Sequence, residues 1–117
     1  MSRNVAAIFA DIDLFDPDKF VTHLTEDVVF RFGNGEPVTG RAAVKEAVGG
    51  FFSTIDGLTH HILRSWDADE VTIVQNDVEY RRKDGKHVTI PNSDILVFAG
   101  DLVSNWQIYI DLAPVFA

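Results

Sequence analysis

Apolar residues recur along the chain in two different rhythms. Val5, Ile8, Phe9 and Ile12 fall at i, i+3, i+4 and i+7, the spacing that lays one apolar stripe along a helix. Asp16-Pro17 restarts the chain, since aspartate suits a cap and proline loses nothing at the first helical position. A short second helix then turns Phe20, Val21 and Leu24 inward. A strand over Asp27–Gly33 follows, β-branched and aromatic through Val28-Val29-Phe30-Arg31-Phe32 and closed by Gly33-Asn34-Gly35. The third helix begins near Arg41, with Val44, Val48, Phe51, Phe52 and Ile55 as its stripe. Gly49-Gly50 inside it costs roughly 1 kcal/mol per glycine relative to alanine. Close backbone approach to a sheet is the expected reason, and a bend or end of the helix is the alternative.

The second half changes to strand rhythm. Leu58–Trp66, Val71–Arg82, His87–Phe98 and Leu102–Leu112 read as a four-strand meander. Asp84-Gly85 is a two-residue hairpin signal, because both residues tolerate positive φ. Pro91, inside the third of these strands, cannot donate a ladder hydrogen bond and predicts a bulge or an edge. Helices first and a meander after predict an α+β fold in which a curved mixed or antiparallel sheet wraps over the N-terminal helices. Such a cone encloses a central pocket. The 117 residues amount to one domain spanning 1–117, with no repeat or linker.

Composition narrows the function. Nine phenylalanines in a chain that is 46% hydrophobic suit a large aromatic core or an apolar cavity. The net charge of −8 argues against nucleic acid, whose phosphates need lysine and arginine clusters. Without cysteine there is no disulfide, thiolate nucleophile or zinc–sulfur site. No apolar run reaches membrane-span length, and Asp11 and Asp13 interrupt any secretory pattern, so a cytoplasmic protein with no membrane partner is expected. No cofactor is expected either. His60 and His61 are neighbours on one strand and point to opposite faces, which prevents them from sharing a metal. Asp11-x-Asp13-x-Phe15-Asp16 starts like a calcium loop but lacks its glycine and terminal glutamate, and reads as a helix end and cap.

Acids on strands are the candidates for chemistry. Asp77 and Glu79 share one face of their strand, with Val78 and Tyr80 on the other. If the acids face the cone, Glu79 is a general base with a raised pKa; if not, both are surface charges. Asp94 sits among Ile90, Ile95, Leu96, Val97 and Phe98, where an acid must be hydrogen-bonded or neutral, and a neutral one donates to a substrate oxygen. One of His60 and His61 must point inward, and opposite Glu79 or Asp94 it would form an acid–base pair. Trp66 and Trp106 are expected in the core or pocket wall, and Asp111 is expected to anchor a terminus or interface.

The element order, Thr25-Glu26-Asp27-Val28-Val29-Phe30, Pro37-Val38-Thr39-Gly40-Arg41, Lys83-Asp84-Gly85-Lys86 and Ile108-Tyr109-Ile110-Asp111-Leu112-Ala113-Pro114 together resemble the SnoaL-like group of the nuclear-transport-factor-2-like superfamily. The resemblance implies a cystatin-like α+β cone or barrel, an internal pocket and a homodimer packed through the sheet. Its members include isomerases, cyclases, epoxide hydrolases and non-catalytic proteins. The ketosteroid isomerase base falls on Arg31, while the second acid of those enzymes resembles Asp94. The limonene-epoxide hydrolase set falls on Ile108, Asp77, Glu79, Phe30 and Phe32, so only the Glu79 carboxylate survives. The last-strand acid of the polyketide cyclases also falls on Ile108.

The resulting expectation is a pocket protein that uses proton transfer on a small apolar carbonyl or hydroxylated compound, as an isomerase, cyclase or hydratase does. Asp94 is the acid, Glu79 the base, and His61, which the family comparison places on the pocket face, orients one of them. Phe30, Phe32, Asn92, Trp106, Ile108 and Ile110 bind the substrate. A non-catalytic ligand-binding or dimeric accessory protein is the alternative.

Overall fold

The computed structural model describes residues 4–117. Three helices, α1 (Val5–Ile12), α2 (Pro17–Val21) and α3 (Arg41–Phe52), pack on one face of a six-stranded sheet. The strands are β1 (Leu24–Phe32), β2 (Val38–Thr39), β3 (Gly57–Ala68), β4 (Val71–Arg81), β5 (His87–Ala99) and β6 (Leu102–Ile110), and a last turn of helix, α4 (Ala113–Phe116), follows. Their order across the sheet is β2-β1-β6-β5-β4-β3, antiparallel throughout except for the parallel β1–β6 pair. The sheet curls over the helices without closing into a barrel, and β2 and β3 are its two edges.

Local chemistry fixes the entry to this frame. The stripe Val5, Ile8, Phe9 and Ile12 is buried as its spacing predicts, and Asn4 Oδ1 accepts the Ala7 N–H at 3.1 Å to start α1. Asp16 caps α2 by accepting the Asp18 N–H at 2.9 Å, with Pro17 first in the helix. α2 is shorter than its apolar pattern suggests. Leu24 is fully buried but belongs to β1, which begins three residues before the expected Asp27.

The glycine pair does not approach the sheet. α3 runs unbroken through Gly49 and Gly50; the nearest atom to a side chain at Gly49 would be the Pro17 ring at 3.6 Å, and Gly50 faces open space. At the β4–β5 turn the Gly85 N–H donates to Arg82 O and the Arg82 N–H to Lys86 O. Only Gly85 there has positive φ, so the reversal uses three residues, Lys83-Asp84-Gly85, rather than two.

Pro91 makes no bulge. The β4–β5 register runs through Asp77↔Pro91 without a shift, and β5 pairs with β6 only from Asn92 onward. Proline is therefore accommodated where its strand has a neighbour on one side only. Besides a register shift on β1 between Leu24 and Val29, the extra residues lie elsewhere: Leu63 in β3 and Ser104 in β6. Each reverses the inward–outward alternation beyond it. Leu58, His60 and Ile62 pair with the inward positions Tyr80, Val78 and Asn76, but after Leu63 it is Trp66 that pairs with outward Ile73. The tryptophan expected in the core is consequently 49% exposed on the outer face, under the Arg64 guanidinium.

Candidate functional site

Between the helices and the inner face of the sheet lies a cavity of about 270 Å³. Its wall is largely aromatic. Phe20 stacks on Trp106 at 5.2 Å, Phe9 meets the same indole edge-on at 5.9 Å, and Phe32 and Phe51 tilt together at 4.9 Å nearer the mouth. Exposed Gly35, Glu36 and Ala47 border the opening, with Val38 and Leu112 beside them.

Polar atoms gather in one region of this wall. Asp94 reaches it because β5 turns Ile90, Asn92, Asp94, Leu96 and Phe98 to the inner face. The residue is 1% exposed, and three donors hold its carboxyl group. Trp106 Nε1–H donates to Oδ1 at 2.8 Å, while Asn76 and Asn92 donate to Oδ2 at 2.9 and 3.0 Å. Burial pushes the Asp94 pKa upward, and it outweighs the downward pull of these hydrogen bonds and of His60. Tyr80 lies on the neighbouring strand, buried, and its hydroxyl pKa is raised by burial and by the nearby Asp94 charge. That hydroxyl has no hydrogen-bond partner among the described residues, and Tyr80 borders the cavity.

The inward histidine is His60. Register pairs it with buried Val78, and its ring lies 4.8 Å from Phe9 on the cavity wall. Its Nδ1 is 2.6 Å from Asp13 Oδ1, and its backbone N–H donates to Asp13 Oδ2 at 2.8 Å. A carboxylate only accepts, so Nδ1 carries a proton and donates it to Asp13, and Nε2 makes no hydrogen bond to a described residue. Asp13 is in place because α1 ends there: residue 13 is the C-cap, and Phe15, at φ 65°, turns the chain away and stacks on Phe52. The aspartates of the failed calcium pattern thus each receive a histidine, Asp13 from His60 and Asp11 from His23 at 2.8 Å.

The other expected catalytic residues lie outside. Val74, Val78 and Tyr80 take the inner face of β4, which sends Asp77 and Glu79 to the outer one. There Glu79 accepts from His87 at 2.8 Å and faces His61 at 3.4 Å, and these two histidines hold its pKa below the usual carboxylate value. Glu79 is therefore no base for this cavity, and His61, one residue from the inward position, faces away from it. Of the expected wall, Phe30, Phe32, Asn92, Trp106 and Ile108 border the cavity; Ile110 packs on the core without reaching it. Asp111 serves a terminus, accepting the Ala113 N–H at 3.0 Å beside α4. Among the described residues no three histidine, aspartate or glutamate side chains converge as a metal-ligand set.

Known proteins share this frame. A hypothetical protein of ketosteroid isomerase-like fold from Catenulispora acidiphila, in complex with trimethylamine, is 18% identical over 97% of this chain and 91% of its own, with a TM-score of 0.88. TerC co-crystallized with polyporic acid is 14% identical over 96% and 92%, at 0.83. An LEH-like epoxide hydrolase of M. tuberculosis is 14% identical over 96% and 83%, at 0.79. Among curated proteins no relative matches the sequence. The family model of the SnoaL-like domain matches residues 5–106, and the chain belongs to that family.

Proposed function

We propose that the protein is an acid–base enzyme of isomerase, cyclase or hydratase type, acting on a small, largely apolar carbonyl or hydroxylated compound. One observation carries this reading: a buried carboxyl group and a histidine backed by a carboxylate border the same aromatic cavity. His60 Nε2 removes a proton from the substrate, and the Asp13 carboxylate fixes the tautomer and stabilises the imidazolium that forms. Asp94, whose pKa burial raises, donates to the substrate oxygen on which charge develops. Tyr80 supplies a second donor. The aromatic walls hold the ring and exclude water, which strengthens each of these interactions.

The ligands held by the Catenulispora protein and by TerC support a small organic ligand here. The subunits pair as a homodimer through the outer face of the sheet, where Trp66 and Tyr109 are exposed.

The test is solvent-deuterium uptake. A panel of small cyclic ketones incubated in D₂O should gain deuterium beside the carbonyl faster with the native protein than without it. His60→Gln and Asp94→Asn should each abolish the acceleration. A ketone that binds and exchanges equally fast with both variants would remove the catalytic reading and leave a binding protein.

A further inference from the structure

Among the described residues that border the cavity, acidic side chains outnumber basic ones. Asp94 lies in its wall, Glu36 stands at its mouth and Asp13 backs His60, while among the described residues no lysine or arginine borders it. A buried carboxylate is costly without a cation or a full set of donors. Among the described residues Asp94 has no cationic partner in an ion pair, and its donors are all neutral. A carboxylate offers about four acceptor positions. Trp106 takes one on Oδ1, Asn76 and Asn92 take two on Oδ2, and one on Oδ1 stays open.

The cavity that Asp94 borders is also lined by the rings of Trp106, Phe9, Phe20 and Tyr80, and Trp106 is bonded to Asp94 directly. Aromatic faces attract a cation, and attract it more strongly where water is excluded. An ammonium head would complete the hydrogen bonding of Asp94 as a charge-assisted pair, and its alkyl groups would lie on the rings. An anion would meet Glu36 on entry and the Asp94 carboxyl inside, with no lysine or arginine among the described lining residues to offset either and with His60 already paired to Asp13.

We infer that small protonated amines with bulky apolar substituents are ligands of this cavity, the ammonium serving as counter-ion to Asp94. The inference rests on the acid–base reading only in using the same carboxyl group. The amine enters already protonated, Asp94 releases its own proton to solvent, and the ion pair so formed withdraws the acid that the proposed reaction needs. Such amines are therefore competitive with substrate.

Three compounds of one carbon skeleton separate the cases: 3,3-dimethylbutylammonium, 3,3-dimethylbutan-1-ol and 3,3-dimethylbutanoate. Each is titrated into the native protein near neutral pH while the indole N–H resonance of Trp106, the donor to Asp94, is followed by NMR. The ammonium should bind at least about tenfold more tightly than the alcohol, and the carboxylate at least about tenfold more weakly, as expected for charge in a low-dielectric site. Asp94→Asn should erase the preference for the ammonium and keep alcohol binding.

Should that variant not fold, the native protein supplies the same comparison. Saturating ammonium should lower the titration midpoint of the Asp94 carboxyl by at least about one pH unit, the linkage equivalent of tenfold. Saturating alcohol should not. His60 on β3 and Tyr80 on β4 also face this group, with Asp13 behind His60 on α1, so their resonances are followed together. An alcohol that binds as tightly as the ammonium overturns the inference and leaves the acid–base reading intact. If none of the three compounds moves the Trp106 resonance the inference also falls, and deuterium uptake alone then decides the reaction.

Discussion

His60 and Asp13, 47 positions apart in the chain, meet through two hydrogen bonds, Nδ1 to Oδ1 at 2.6 Å and backbone N–H to Oδ2 at 2.8 Å. The pair ties the end of α1 to β3 and holds the His60 ring on the cavity wall. In the proposed reaction the same pair holds the base. Asp13→Asn replaces one acceptor oxygen with a donor, so the histidine loses its fixed tautomer. Ketone proton exchange should fall by ~10²–10⁴-fold in His60→Gln, the range for loss of a general base. Asp13→Asn should fall in the same direction, with a shifted pH–rate profile as the sign of a positioning role.

Glu79 and His61 should be dispensable. Both lie on the outer face, where Glu79 is shared between His61 and His87. Exchange rates of Glu79→Gln and His61→Ala should stay within about threefold of native, against ~10²–10⁴ for a lost acid or base. A larger loss in Glu79→Gln would restore it as the base and remove His60.

Asp94 should make stability fall as pH rises. Its pKa is raised in the folded state, so the folded protein holds this proton at pH values where the unfolded chain has released it. The contribution is complete below about 3.9, the ordinary aspartate value, and is lost as pH climbs through the folded value. Urea unfolding across pH 4–8 measures it as a difference between two proteins: Asp94→Asn should gain on the native protein as pH rises. A difference that is flat or runs the other way would mean the three donors outweigh burial.

Gly50 should accept alanine. It lies inside α3, has no atom within 4 Å of where a Cβ would sit, and does not adopt positive φ. Gly50→Ala should stabilise the fold by about 0.5–1 kcal/mol through backbone entropy and leave exchange activity unchanged. Denaturant midpoints at constant slope check it.

The outer face should pair two subunits. Trp66 and Tyr109 stand 49% and 58% exposed on it, the kind of anchors that interfaces bury. Sedimentation should give a dimer for the native protein and a monomer for Trp66→Lys combined with Tyr109→Lys.

How much of this was legible depended on range along the chain. The α1 stripe, the Asp16-Pro17 start and the four-strand meander are local patterns that stand where their spacing puts them, whereas the α2 and α3 stripes run past their helices to Leu24 in β1 and to Ile55 beyond Phe52. Asp94 was also legible, because an acid in an apolar strand must be buried and satisfied. Faces were harder. On a strand a one-residue error exchanges inside for outside, and nothing within Asp77–Tyr80 or His60-His61 says which side meets the helices. Trp66 adds a second cause, since the extra residue at Leu63 reverses the alternation and has no marker in composition. Pairing of Asp13 with His60 was beyond reach. Both residues stand out in the sequence, one at a helix end and one as half of a histidine pair, but only the packing of α1 against β3 brings them together.

The most direct measurement is a carbon-detected NMR titration of the Asp94 carboxyl group in the ligand-free protein. A midpoint well above about 3.9 is expected, since an acid that donates to substrate must keep its proton inside the cavity. A midpoint at or below that value would make Asp94 an ordinary hydrogen-bonded carboxylate with no proton to give, and would contradict its role as the acid.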